Sequence, residues 1–195
     1  MGHLEWLELA LFILLSVTAV VLLAFCLRKV CQQQQGAHPA ATVRHWRDLP
    51  ELQLLYVGLP FELLWELAQF PLYGVWHEGQ WSYILYGLGH CTLGDLLILL
   101  VAFELTALIA RTRYWHRLAP FRYTLLLTGI GLAYTTYSET VHVRIKGTWG
   151  YTDLMPIVPV IDIGGMPFLQ WLLIPTFVIL MMRALGDRAV YDRVA

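Results

Sequence analysis

The sequence predicts an all-α protein: a polytopic membrane helix bundle of about five transmembrane helices, with its N-terminus outside and its C-terminus in the cytoplasm. Three observations predict it. Of 195 residues, 58% are hydrophobic and 14% are charged, against about 25% charged in an ordinary soluble domain. Five apolar stretches approach the roughly 20 residues a helix needs to cross a hydrocarbon core. The basic residues fall almost entirely on one side of those stretches.

The first stretch, Leu4–Leu27, is closed by Arg28 and Lys29. Glu5 and Glu8 stand where a signal peptide carries positive charge, and no small-residue cleavage site follows, so it reads as an uncleaved anchor. Gln32–Asp48 is polar and reads as a solvated linker. The second stretch, Leu52–Val75, contains Pro60 and ends near Pro71, which predicts a kink. The third runs over about Leu93–Ala110. The fourth covers about Phe121–Val141, where Gly129 and Gly131 permit close helix contact. The fifth covers about Pro167–Met182 with Pro175 inside it, and its start lies there or nearer Ile163.

Charge then orients the bundle. Eleven of the thirteen basic residues, from Arg28 and Lys29 through Arg111, Arg113, Arg117 and Arg122 to Arg183, Arg188 and Arg193, lie on one side. Only Arg144 and Lys146 lie on the other. The positive-inside rule places the richer side in the cytoplasm, which predicts a multi-pass membrane protein. The two outer loops are then 76–92 and 142–166. Within the second, Leu154–Ile163 is apolar and proline-spaced but too short to span, so it dips into the membrane or lies along it. Aromatics such as Trp6, Trp76, Trp81 and Trp171 gather at the outer level as an interfacial belt. The remainder line a pocket.

Composition excludes some partners. A net charge of -1 gives no basic field for nucleic acid. The three cysteines have no metal-site spacing, and the topology separates Cys31 from Cys91. There is no phosphate loop, nucleophile elbow or H-E-x-x-H. No cofactor is implied, and oligomeric state is not encoded in any readable pattern.

The chemistry lies in acids within the stretches: Glu62, Glu66, Asp95, Glu104 and Glu139, with no Lys or Arg clearly among them. A charge at mid-bilayer costs about 2.5–3.5 kcal/mol on insertion scales. Glu62, Glu66, Gln69 and Tyr73 sit at i, i+4, i+7 and i+11, on one helix face, which must turn away from lipid. Such a face either handles a proton or cation or forms a structural hydrogen-bond network. Glu139 and His142 share a face of the fourth stretch at the spacing of bundle metal sites, which makes His90, Glu139 and His142 a weak metal-ligand set. His90 and Asp95 open the third stretch, where Thr92 or Asp95 is equally a helix cap. Glu104 is expected to be neutral or paired. The combined expectation is an outward-facing cavity with Glu62 and Glu66 at its floor, His90, Asp95 and Glu139 at its rim, and Trp149 and Tyr151 as its cover.

Three motif groups carry a resemblance: Trp65-Glu66 with Gln69 and Pro71-Leu72-Tyr73; His90-Cys91-Thr92 with Gly94-Asp95; and Gly147-Thr148-Trp149-Gly150-Tyr151 with Met155-Pro156, followed by Gln170-Trp171. Together they resemble a group of small uncharacterised bacterial inner-membrane proteins over roughly Leu52–Pro175. The resemblance implies a location and no activity. In layout the chain is also similar to the emopamil-binding and sigma-2-receptor type of membrane protein, which binds lipophilic amines or sterols among acids and aromatics. Its motifs do not match residue by residue, so no catalytic role is carried over.

Three functional expectations result. The first is binding or movement of a lipophilic or cationic small molecule, since acid without base favours a cation and aromatic walls add cation–π contacts. The second is an intramembrane enzyme acting on a lipid or isoprenoid through paired carboxyls. The third is metal handling at the His90–Glu139–His142 rim.

Overall fold

Pro50 opens the first described helix, where its missing N–H costs nothing and its fixed φ suits the first turn. The computed structural model describes residues 49–191, with side chains as far as Leu185. The predicted anchor Leu4–Leu27, the linker Gln32–Asp48 and Trp6 lie outside the described residues. Within them the protein is helical, and its only β-type pairings are the isolated bridges Tyr73–Tyr151 and Ile157–Gly164.

Helix α1 is Pro50–Gln69, and it runs through Pro60 without a break. A single 3-10 turn, Phe70–Leu72, follows, because Pro71 cannot donate the next helical bond. A short helix α2, Gly74–Glu78, leads to α3, Trp81–Ala110. With 30 residues, α3 is about 45 Å long.

This corrects the expected loop 76–92, most of which is helix. Gly87 and Gly89 resemble loop residues in sequence. Gly87 is instead where α3 meets Phe70, since a Cβ there would lie 2.8 Å from Phe70 Cζ. Thr92 and Asp95 are consequently inside a helix and not caps. The Thr92 hydroxyl donates back to Leu88 O at 2.8 Å.

Helix α3 ends at Arg111, which adopts the left-handed conformation at φ 55° and ψ 26°. The Thr112 N–H bonds Ala107 O, a 6→1 closure that reverses the chain. A short helix α4, Trp115–Leu118, follows, and Pro120 opens α5, Pro120–Glu139. α5 continues as a π-turn, Thr140–Ile145, and the loop beyond it leads to α6, Gly165–Tyr191.

The four long helices alternate in direction. α1 packs on α3 and α6, and α5 packs on the same two, so α1 and α5 are diagonal, as are α3 and α6. Their shared core includes Leu54, Val57, Leu99, Phe103, Leu127, Ile174 and Val178. Close approach is built on glycine. A Cβ on Gly131 would lie 1.9 Å from Trp171 Cε3, so only glycine lets that indole lie between α5 and α6. Gly129, expected to play the same part, faces open space.

The outside of the bundle is apolar. Tyr56, Leu64, Leu93, Ile109, Phe121 and Leu125 are 58–80% exposed. The buried set includes Glu62, Glu66, Gln69, Glu104, His116, Glu139 and Gln170. Two helices, Trp81–Ala110 and Gly165–Leu185, are long and apolar enough to cross a membrane. α1 and α5 are diluted by the polar residues they turn inward.

The segment 154–163 is anchored near both ends by the buried Met155 and Ile163 and exposes its tip. Val160 at its tip is fully exposed, with a positive φ of 76°, and Asp162 has φ 57°. Arg144 holds it by donating to Ile161 O at 3.2 Å and Asp162 O at 2.6 Å, and by pairing with the Asp162 carboxylate.

Candidate functional site

The face Glu62–Glu66–Gln69–Tyr73 turns inward as its spacing predicts, with these residues 1%, 2%, 3% and 8% exposed. It meets Asp95 of α3 and Gln170 of α6 on the bundle axis. The Gln170 amide donates to Glu62 Oε2 at 2.8 Å and to Asp95 Oδ2 at 2.9 Å. Its carbonyl accepts from Gln69 Nε2 at 3.1 Å, and Gln69 also donates to Glu66 Oε1 at 2.5 Å. Gln69 Oε1 accepts from the Trp65 indole at 3.1 Å. Both amides therefore have every hydrogen committed.

The Asp95 and Glu66 carboxyls lie close enough to interact directly. Two carboxylates have only acceptors, so a hydrogen bond between them needs a proton. Glu62, Glu66 and Asp95 thus form a three-carboxyl group whose side-chain hydrogen-bond donors are neutral amides. Among the described residues, none of the ion pairs brings Lys, Arg or His to it. Asp95 is its half-buried member, and the others are closed off. The group is packed in this conformation and does not form the floor of an open cavity.

A second group lies toward the loop. The Tyr151 hydroxyl donates to Glu139 Oε2 and accepts from the Gly164 N–H at 2.8 Å. Burial, then the bond to Glu139 and its charge, hold the Tyr151 phenol well above its usual range, so it remains a donor. The Tyr73 and Tyr151 rings lie 5.6 Å apart. The Gly74 N–H bonds Gly150 O at 2.9 Å, and Thr152 N–H bonds Leu72 O at 2.9 Å, which fixes the loop over the end of α1. The Cys91 thiol lies within electrostatic range of Glu66, Asp95 and Glu139, where the two groups approach each other.

Other predicted members are elsewhere. His90 is exposed and stacks on Tyr86, with ring centroids 5.7 Å apart. His142 stacks on Trp149 at 4.3 Å, and its Nδ1 meets Thr148 Oγ1 at 2.8 Å. Its burial and the nearby Lys146 lower its affinity for a proton. The set His90, Glu139 and His142 is not assembled as ligands, and no group of three such side chains could hold a metal among the described residues. The reason is local. His90 leaves α3 on a different face from Asp95, and the π-turn carries His142 onto Trp149.

Two residues central to the geometry were not foreseen. Gln170 joins Glu62 to Asp95 and reaches Glu66 through Gln69, and its signal is one amide in a mostly apolar helix. Arg113 is the other. The reversal at Arg111 folds it back to pair with Glu51 and to lie 3.8 Å from Glu104. Glu104, 0% exposed, is therefore paired, as expected. Comparison with protein-family models, curated proteins and solved structures gives no match, which leaves the geometry of the chain itself to indicate its function.

Proposed function

We propose that this chain is a multi-pass inner-membrane protein of about five spans, N-terminus outside and C-terminus in the cytoplasm, that binds or moves a cationic or lipophilic small molecule at the Glu62–Glu66–Asp95 group. Its inverted surface supports the bilayer: leucines and aromatics outside, carboxyls and amides inside. The one-sided distribution of basic residues supports the orientation.

One observation carries the binding reading. Three carboxyls from α1 and α3 gather around two linked amides, Gln170 bonding Glu62 and Asp95 and Gln69 bonding Glu66, and the group contains no cationic side chain among the described residues. Its negative charge is offset by a proton, and a positive ligand can replace that proton. Anions are disfavoured for the same reason. The tight packing suits a proton or compact cation in this conformation, and a bulkier lipophilic amine requires α3 and α6 to part near the half-buried Asp95.

Ligand-dependent thermal shift in detergent at several pH values tests the reading. Cationic amines or metal cations should stabilise the wild type more strongly as pH rises, because they compete with the proton. Glu66→Gln and Asp95→Asn should lose that response. A response unchanged in both variants contradicts the assignment.

The adjacent Glu66 and Asp95 carboxyls favour one second reading. A protonated carboxyl beside an ionised one is an acid and a base in one site, which is what isomerising or hydrating a lipid or isoprenoid alkene needs. Lipid extracts from cells with and without the gene separate this enzyme from a binding protein.

A further inference from the structure

On the lipid-facing side of the opposite end, α5 and α6 leave a groove of about 300 Å³ between them. Phe121 and Leu125 of α5 and Ile179 and Leu180 of α6 form its apolar walls, and Arg183 lines it. The order along the axis is informative. From Thr176 to Arg183 the groove runs about 10 Å, mostly apolar apart from Thr124 and Thr176 and cationic where α6 approaches the end of the bundle. Arg122, in the first turn of α5, is exposed over the Tyr123 ring at the same level. Arg117 is exposed beside it in α4, over Tyr114. Among the described residues, no ion pair neutralises Arg117, Arg122 or Arg183. The buried His116 registers the field of two of them: burial, then the charge of Arg117 and also that of Arg183, pushes its pKa down to about 4.

We infer that this groove is a binding site for an anionic phospholipid, with an acyl chain along α5 and α6 and its phosphate at Arg183. Charge at the membrane surface and hydrocarbon below it is the polarity of that ligand. An electrostatic surface alone would lack the groove, and an acyl groove alone would lack the guanidinium at its mouth. The lipid site rests on the proposed bilayer placement and is independent of the carboxyl group.

The test is native mass spectrometry of the full chain released from nanodiscs of phosphatidylglycerol or of phosphatidylcholine. Resistance of the chain to carbonate extraction from membranes is measured first. If it is extracted, the bilayer placement fails and the lipid site with it. If it is retained, the wild type should keep bound phosphatidylglycerol and lose phosphatidylcholine. Arg183→Gln should reduce retention about fivefold, the effect of one basic residue on an anionic lipid. Arg183→Lys should retain most of it, which controls for folding. Leu180→Trp, which fills the groove at an exposed position, should reduce it while keeping the charge. Equal retention of the two lipids, an unaffected Arg183→Gln variant, or equal stabilisation by inorganic phosphate alone would overturn the inference.

Discussion

The bundle buries carboxyls at two levels, separated along α3 by the nine residues from Asp95 to Glu104, or about 13 Å. At the lower level, Glu51 and Glu104 face one guanidinium, that of Arg113. At the upper level, Glu62, Glu66 and Asp95 face the amides of Gln69 and Gln170. The apolar residues Leu99, Ala102 and Phe103 of the same helix lie between them. Burial is similar, and the difference is the counter-charge. A guanidinium presents its partners with a permanent positive charge, which suits a structural tie between chain segments. Neutral amides position carboxyls without fixing their charge, which leaves that charge to a proton or ligand.

Removing the cation should break the lower level most severely. Arg113→Gln is expected to cost about 3–5 kcal/mol, because it strips buried carboxylates of their counter-ion. Adding Glu104→Gln should restore much of that loss. Unfolding in detergent measures both, and a fully stable Arg113→Gln would make the two levels alike.

Removing the amide should break the upper level less. Gln170→Leu takes a donor from Glu62 and from Asp95 and leaves one of the two Gln69 amide hydrogens without its acceptor. The expected loss is roughly 2–4 kcal/mol, since each stranded buried group costs about 1–3. The variant carboxyls can recover part of it by taking up protons, so its stability should improve as pH falls, whereas that of Arg113→Gln with Glu104→Gln should not.

His116 sharpens the lower level. The unfolded imidazole takes up a proton below its ordinary value of 6.5, and the folded one only near 4. The folded state is therefore fully stable above about 6.5 and loses stability as pH falls toward 4, with no further loss from this group below that. The loss is at most roughly 3 kcal/mol. His116→Phe, which keeps the ring packed against Phe103 and Trp115, should abolish this slope.

The smallest stability effect is expected at the residue with the largest functional one. Glu66→Gln preserves shape, accepts from Gln69 and can donate to Asp95 in place of a proton. It should change stability by less than about 1 kcal/mol while removing the cation response.

How much of this was legible depends on how local each signal is. The face of Glu62, Glu66, Gln69 and Tyr73 was readable because helical spacing is local and an acid in an apolar helix has one sensible direction. Its meeting with Asp95 followed from that constraint applied twice. Gln170 was not placed, because one amide carries no period, and its role depends on the diagonal of the bundle. Arg113 was hidden behind Arg111, a non-glycine residue in a left-handed turn, which composition does not announce. The helix at 81–92 was obscured because Gly87 marks a close helix approach to Phe70 and not a loop. His90 was assigned by its proximity to Asp95 in sequence, where five positions of helix are enough to point two side chains apart.

Carboxyl C=O stretching in infrared difference spectra tests the contrast most directly. Titration of the wild type should show a protonated carboxyl band that exchanges on adding a cation and is lost in Glu66→Gln combined with Asp95→Asn, with Glu104→Gln leaving it in place. A band that disappears in Glu104→Gln and persists in the double variant would contradict the account.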